Sequence, residues 1–176
     1  MKFLTSRALL VLSWLCVLLL AAPALAQQKP AEDKSKRPSP PATVSAPNFT
    51  IEYSRPSMKG RKVMGGLVPY GQVWRTGANE ATTFEAKQAV RINGQELPAG
   101  KYALFTIPGE QEWTIIFNKT ANQWGAYDYK QDQDALRVKA KPTRTAQPVE
   151  QFTISTDPAG NVTMAWESTQ GSFAVK

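Results

Sequence analysis

Histidine is absent from the whole chain, and the one cysteine, Cys16, sits inside an apolar run close to the N-terminus. Charge is sparse there too: Lys2 and Arg7 precede a run from Ala8 to Leu20 whose only polar interruption is Ser13. Ala24-Leu25-Ala26 then offers small side chains at the two positions a signal peptidase reads, with Gln27 as the new N-terminus. The run falls short of the roughly 20 apolar residues of a membrane anchor, and it ends in a small-residue exit that an anchor usually lacks. Leu15 stands where a lipidated cysteine would be preceded by a small residue, so Cys16 reads as part of the apolar run. Residues 1–26 are therefore predicted to be a cleavable secretory signal peptide, with no membrane span left after cleavage.

That cut removes the only cysteine. Disulfides are then excluded, although an exported compartment would permit them. Zinc sites built on thiolate or imidazole are excluded, as are triads that need a histidine base. No cofactor and no metal is expected, and no catalytic residue is identified; any catalysis has to use carboxylates, Lys, Tyr or Ser. The formal charge of +7 also shrinks. Two positive charges leave with the signal and a net two lie in residues 27–47, which leaves about +3 for the remainder. This is too little to argue for nucleic acid as a partner.

Residues 27–47 are rich in Pro, Ala, Ser and Lys and nearly without large apolar side chains. Such a segment buries too little to offset the entropy of ordering it, and it is predicted to be a disordered linker. From Asn48 to Lys176 the pattern has period two. Phe49/Ile51/Tyr53, Val90/Ile92, Trp113/Ile115/Phe117, Leu136/Val138/Ala140, Phe152/Ile154 and Val162/Met164/Trp166 each place apolar groups on one face of a strand. Tyr102 to Ile107 is apolar on both faces apart from Thr106, the pattern of a central strand. Asn93-Gly94, Pro108-Gly109 and Asp157-Pro158-Ala159-Gly160 supply turns between runs. No window sustains helical periodicity, although Gln131 to Leu136 can form a short turn. The expected fold is all-β: an antiparallel β-sandwich or jelly roll of about eight strands, as a single domain over 48–176.

The least strand-like part of this domain is Arg55 to Glu80, and loops held on a rigid scaffold often carry function. Gly60 and Gly65 have the spacing of a phosphate-cradling loop, but Gly66-Leu67 follows where that motif needs Lys and then Ser or Thr, so no nucleotide site is expected. Arg55, Lys59, Arg61 and Lys62 form a basic cluster able to contact an anion or simply to stay solvated. Trp74-Arg75-Thr76-Gly77-Ala78-Asn79-Glu80 gathers a ring, a guanidinium, a hydroxyl, an amide and a carboxylate in seven residues. Such a set can stack on and orient a small polar or carbohydrate-like ligand. It can equally be an internal network in which Arg75 pairs with Glu80. Trp124-Gly125-Ala126-Tyr127-Asp128-Tyr129 is a second aromatic loop, which reads as a contact surface or as a lid on the sandwich. Candidate ligand-binding residues are thus Arg61, Trp74, Arg75, Thr76, Asn79, Glu80 and Trp124.

Long strings in the chain look like the signature blocks of a secreted bacterial family, domain of unknown function 2911. They are Tyr53-Ser54-Arg55-Pro56-Ser57, Gly65-Gly66-Leu67-Val68-Pro69-Tyr70-Gly71, Trp74 to Thr83 and Leu97-Pro98-Ala99-Gly100-Lys101-Tyr102. The resemblance implies a Gram-negative source, export to the periplasm or beyond, and a β-rich domain; it brings no activity and no catalytic residues. The preferred expectation is a non-catalytic binding module for a small polar or carbohydrate-like ligand. The alternatives are a hydrolase using Glu80 and Asp128, which requires those carboxyls within about 10 Å, and an envelope-interaction module using a sheet edge. The sequence gives no sign of oligomeric state. If the signal reading holds, mass spectrometry of the exported protein will find Gln27 at the N-terminus; a retained Met1 overturns it.

Overall fold

The computed structural model describes residues 33–176, so the predicted signal peptide and residues 27–32 of the predicted linker lie outside the described residues. Ten strands and two short 3₁₀ turns, but no α-helix, occur among the described residues. Six strands form one antiparallel sheet: β1 (Pro41–Ser45), β2 (Phe49–Ser54), β3 (Thr82–Ala86), β6 (Gly100–Ile107), β7 (Trp113–Asn118) and β8 (Asp134–Ala140), side by side in that order. β4 (Val90–Ile92) and β5 (Gln95–Leu97) make a small hairpin through Asn93-Gly94, both at positive φ. β9 (Thr143–Thr156) and β10 (Asn161–Ala174) make a long one. No helix of the described residues is long and apolar enough to cross a membrane.

The alternation seen in the sequence decides which face is covered. Ile51, Phe84, Tyr102, Leu104, Ile115, Phe117 and Val138 point to one side of the six-stranded sheet, and the β9–β10 hairpin answers them with Phe152, Ile154, Met164, Trp166 and Phe173 in one core. Phe84 stacks on Phe49 (5.2 Å) and meets Phe117 edge-on (5.1 Å), with Phe173 above Phe117 at 5.7 Å. This is the expected sandwich, with the second layer reduced to a hairpin. β6 lies in the interior of the sheet, as its doubly apolar sequence requires: Ala103 and Phe105 face a second, smaller cluster on the outer side with Ile116 and Ala81.

Backbone-directed side chains clasp the two layers. The Tyr53 hydroxyl accepts from the Ile154 N–H at 3.0 Å, and Arg55 donates to the Phe152 carbonyl (3.1 Å) and the Thr153 hydroxyl (2.9 Å). At a bulge in β10, Glu167 turns to φ +55° and its carboxylate accepts from the N–H groups of Val63 and Met64. That contact ties the Arg55–Glu80 connection to the hairpin.

The linker expectation is corrected from Asp33 onward. Lys34–Lys36 form a 3₁₀ turn and Pro41–Ser45 an edge strand paired along its length with β2. Ala42 and Val44 rest against the core, so a segment poor in large apolar groups is ordered by backbone pairing to a neighbour. Proline is tolerated because Pro41 begins an edge strand. Strands β3 and β5 likewise add to the seven runs that the alternation marked, and Gln131–Gln133 form the short turn.

Gly171 sits where β10 crosses Trp113, and a Cβ there would lie 2.5 Å from the indole. Trp113 is fully buried and cannot retreat. Gly171→Ala is expected to lose about 1–3 kcal/mol of unfolding free energy by overpacking, read from urea denaturation.

Candidate functional site

The string from Trp74 to Glu80 does not act as one unit. Val73 to Arg75 runs extended against β6, with reciprocal backbone bonds between Trp74 and Thr106, so successive side chains point to opposite faces. Trp74 turns inward: its ring lies 5.1 Å from Phe152 and 5.9 Å from Trp166, and its N–H donates to the Gly77 carbonyl. Thr76, also inward, is fully buried beside the Thr106 hydroxyl. Positive φ at Thr76 and Asn79 then reverses the chain. The Asn79 amide donates to the Ser39 carbonyl and the Ser54 hydroxyl, and its backbone carbonyl receives the Gly125 N–H. Trp74, Thr76 and Asn79 thus make contacts within the fold, and Trp74 also borders a cleft that Arg75 lines. Arg61 folds back to donate to the carbonyls of Met58 and Ser57 on its own loop, away from Trp74–Glu80 in sequence.

Arg75 and Glu80 do not pair with each other. Glu80 lies on the outer face and binds Lys34 at 2.9 Å and Arg37 at 2.8 Å. Burial alone would push the Glu80 carboxyl up. The hydrogen bonds from Lys34, its own backbone N–H and Arg37, with the Lys34 charge, outweigh this and hold it at about 2. Arg75 also faces away from the core and lines a separate cleft with Leu67, Val73, Ala126 and Tyr127.

Glu80 lies on the wall of a groove of about 300 Å³ that runs over the outer face of β1, β2, β3 and β6. Lys34, Arg37, Glu52, Thr83, Lys101 and Asn122 supply its polar groups. Lys101 and Glu52 pair at 2.9 Å across the sheet, and the Glu52 carboxyl is lowered, chiefly by its bond from Lys101. Glu80 and Trp124 pair by their backbones, and Trp124 stands 54% exposed at the adjoining rim with the Arg37 guanidinium 5.9 Å from its ring. Sequence reasoning found Glu80 and Trp124 and missed the rest. Glu52 and Thr83 were visible as the polar half of alternating strands, whereas Lys34 and Arg37 were hidden in a segment read as linker.

The arrangement favours binding groups over acid–base chemistry. A general acid needs a pKa near the working pH, and Glu80 is held in the opposite direction, while Asp128 sits exposed in a turn. Among the described residues no three Asp, Glu, His or Cys side chains are grouped to hold a metal ion.

Because the Glu80 carboxyl is depressed in the folded state, its contribution to stability is present above its ordinary value of 4.5 and is lost as the pH falls towards about 2. Solvent screening at this half-open site limits it to about 1 kcal/mol. Glu80→Gln is expected to remove that part of the wild-type decline between pH 5 and pH 2 in denaturant titrations. An unchanged acid limb contradicts the ion-pair account.

No curated protein and no solved structure matches the chain. One family, described as "Protein of unknown function (DUF2911)", matches residues 35–175. That span starts within the 3₁₀ turn bearing Lys34 and takes in every strand of the fold. The chain belongs to the DUF2911 family of proteins of unknown function.

Proposed function

We propose that this protein is a non-catalytic binding module, working in the periplasm or outside the cell, for a small polar or carbohydrate-like ligand held in the outer-face groove. The observation that carries the reading is the juxtaposition of an exposed indole, Trp124, with an open groove whose polar groups are set by ion pairs. A sugar ring has an apolar face that lies flat on an aromatic ring and hydroxyls that both donate and accept. The carboxylates of Glu80 and Glu52 accept, the ammoniums of Lys34 and Lys101 donate, and Thr83 and Asn122 do both. Their mutual pairing holds these groups in place before a ligand arrives, which reduces the ordering cost of binding. The signal-like residues 1–26 support an address beyond the cytoplasm, where such ligands are met as cell-wall or nutrient fragments.

The test is calorimetric titration of the protein with chitotriose, maltotriose and a muramyl disaccharide. At least one is expected to bind, and Trp124→Ala is expected to weaken it about tenfold, the equivalent of ~1.4 kcal/mol. The melting temperature should be unchanged, because the indole is mostly outside the core. Silence with all three probes, or equal affinity for Trp124→Ala, overturns the reading.

A further inference from the structure

The cleft that Arg75 lines has no lining residue in common with the outer-face groove. It encloses about 300 Å³, and its walls include Leu67, Val73, Ala126 and Tyr127. Two of these are large apolar groups that the fold leaves in contact with water: Leu67 is 42% exposed and Tyr127 80%. Arg75 is the one charged side chain in the lining.

The state of that guanidinium is unusual. Its Nε is shut off from solvent and bonds to nothing, and among the described residues no carboxylate pairs with Arg75. A cation taken partly out of water ordinarily acquires a partner, because desolvation without pairing is unfavourable. The backbone fixes the group in this position. The extended run Val73–Arg75 sends Arg75 to the face opposite Trp74, the face that Val73 shares. Gly125, at φ +67°, closes over it: a Cβ at that position would lie 2.8 Å from Nη1 of Arg75 and 2.9 Å from the Tyr127 ring. The missing Cβ leaves room for the guanidinium and the ring at the same point, and the positive φ favours glycine there.

We propose that the cleft beside Arg75 is a second binding site, for a small carboxylate carrying an aromatic or short apolar body. The carboxylate meets the terminal nitrogens of Arg75 end-on, and the body lies between Tyr127 and Leu67. A guanidinium fork matches a carboxylate in shape and charge. One cation with no second positive group in the lining suits a monoanion better than a phosphate dianion. Besides Arg75, Gln72 and the Tyr127 hydroxyl are the uncommitted polar side-chain groups of the lining, fewer than the outer-face groove offers to the hydroxyls of a sugar. The volume is at the lower end of the range for small-molecule sites, about right for a single ring with a short acid arm.

Titration of the ¹⁵N-labelled protein with sodium phenylacetate tests this, with phenylacetamide (same body, no charge) and sodium acetate (same charge, no body) as comparators. Phenylacetate is expected to shift the amides of Val73 and of Gly125, Ala126 and Tyr127, with both comparators at least about tenfold weaker. Arg75→Met keeps the stem and removes the fork. It should abolish the phenylacetate response and leave the melting temperature equal or higher, because an unpaired buried donor has been removed. Equal binding of phenylacetamide, or a response that persists in Arg75→Met, overturns the proposal. So does a wild-type protein that ignores phenylacetate, and this last comparison decides the matter even if Arg75→Met does not fold. Since the two clefts share no residue, failure here leaves the oligosaccharide result untouched, and the reverse holds too.

Discussion

The contact on which the rest of the structure depends is that between the six-stranded sheet and the β9–β10 hairpin. Two strands cover what six strands present, so every apolar side chain of the hairpin has to count: Phe152, Trp166 and Phe173 each touch aromatic rings on more than one neighbouring element. The clasp made by Tyr53 and Arg55 holds the layers in register through backbone atoms of β9. With no second layer to spare, the opposite face of the large sheet cannot be buried in the same way.

That opposite face is resolved differently along its width. Towards β6 and β7 it is apolar, and Val73, Ala126 and Tyr129 close over Phe105 and Ile116. Towards β1 to β3 it is polar, and its side chains pair across strands or with the Lys34–Arg37 segment. Both proposed sites belong to this uncovered side, and they differ in chemistry because one adjoins the apolar half and the other occupies the polar half. The pleat assigns each residue its half: a shift of one position in Val73–Arg75 would exchange Trp74 with Arg75 and destroy both the core contact and the cleft.

Period two made the main strands legible. Phe49/Ile51/Tyr53 and Trp113/Ile115/Phe117 are buried on one face as their spacing requires, and the double apolarity of Tyr102–Ile107 marked the interior strand. The alternation in Thr82–Ala86 is faint because Phe84 is its one large apolar side chain and Thr82 and Thr83 fall in the string that begins at Trp74. β1 was illegible for a stronger reason: it is held by pairing with β2, and pairing leaves no mark in the composition of the edge partner. The Trp74–Glu80 string named the right neighbourhood but not its geometry. Chain reversal at Thr76 and Asn79 depends on positive φ at non-glycine residues, which sequence patterns do not announce. The partners of Glu80 lie more than forty positions upstream, a distance across which composition carries no signal.

The placement of β1 bears on how the protein can be divided. Composition would set the start of the domain at Asn48, seven residues past the true start of the sheet at Pro41. A fragment cut there would strip β2 of its outer neighbour and leave an unpaired row of N–H and C=O groups along Phe49–Ser54. Such a bare margin recruits whatever extended chain is at hand, including another copy of itself. The short strand that looks like packaging therefore covers the margin of β2 and makes a proline-started strand, with Pro41 at its head, the edge of the sheet.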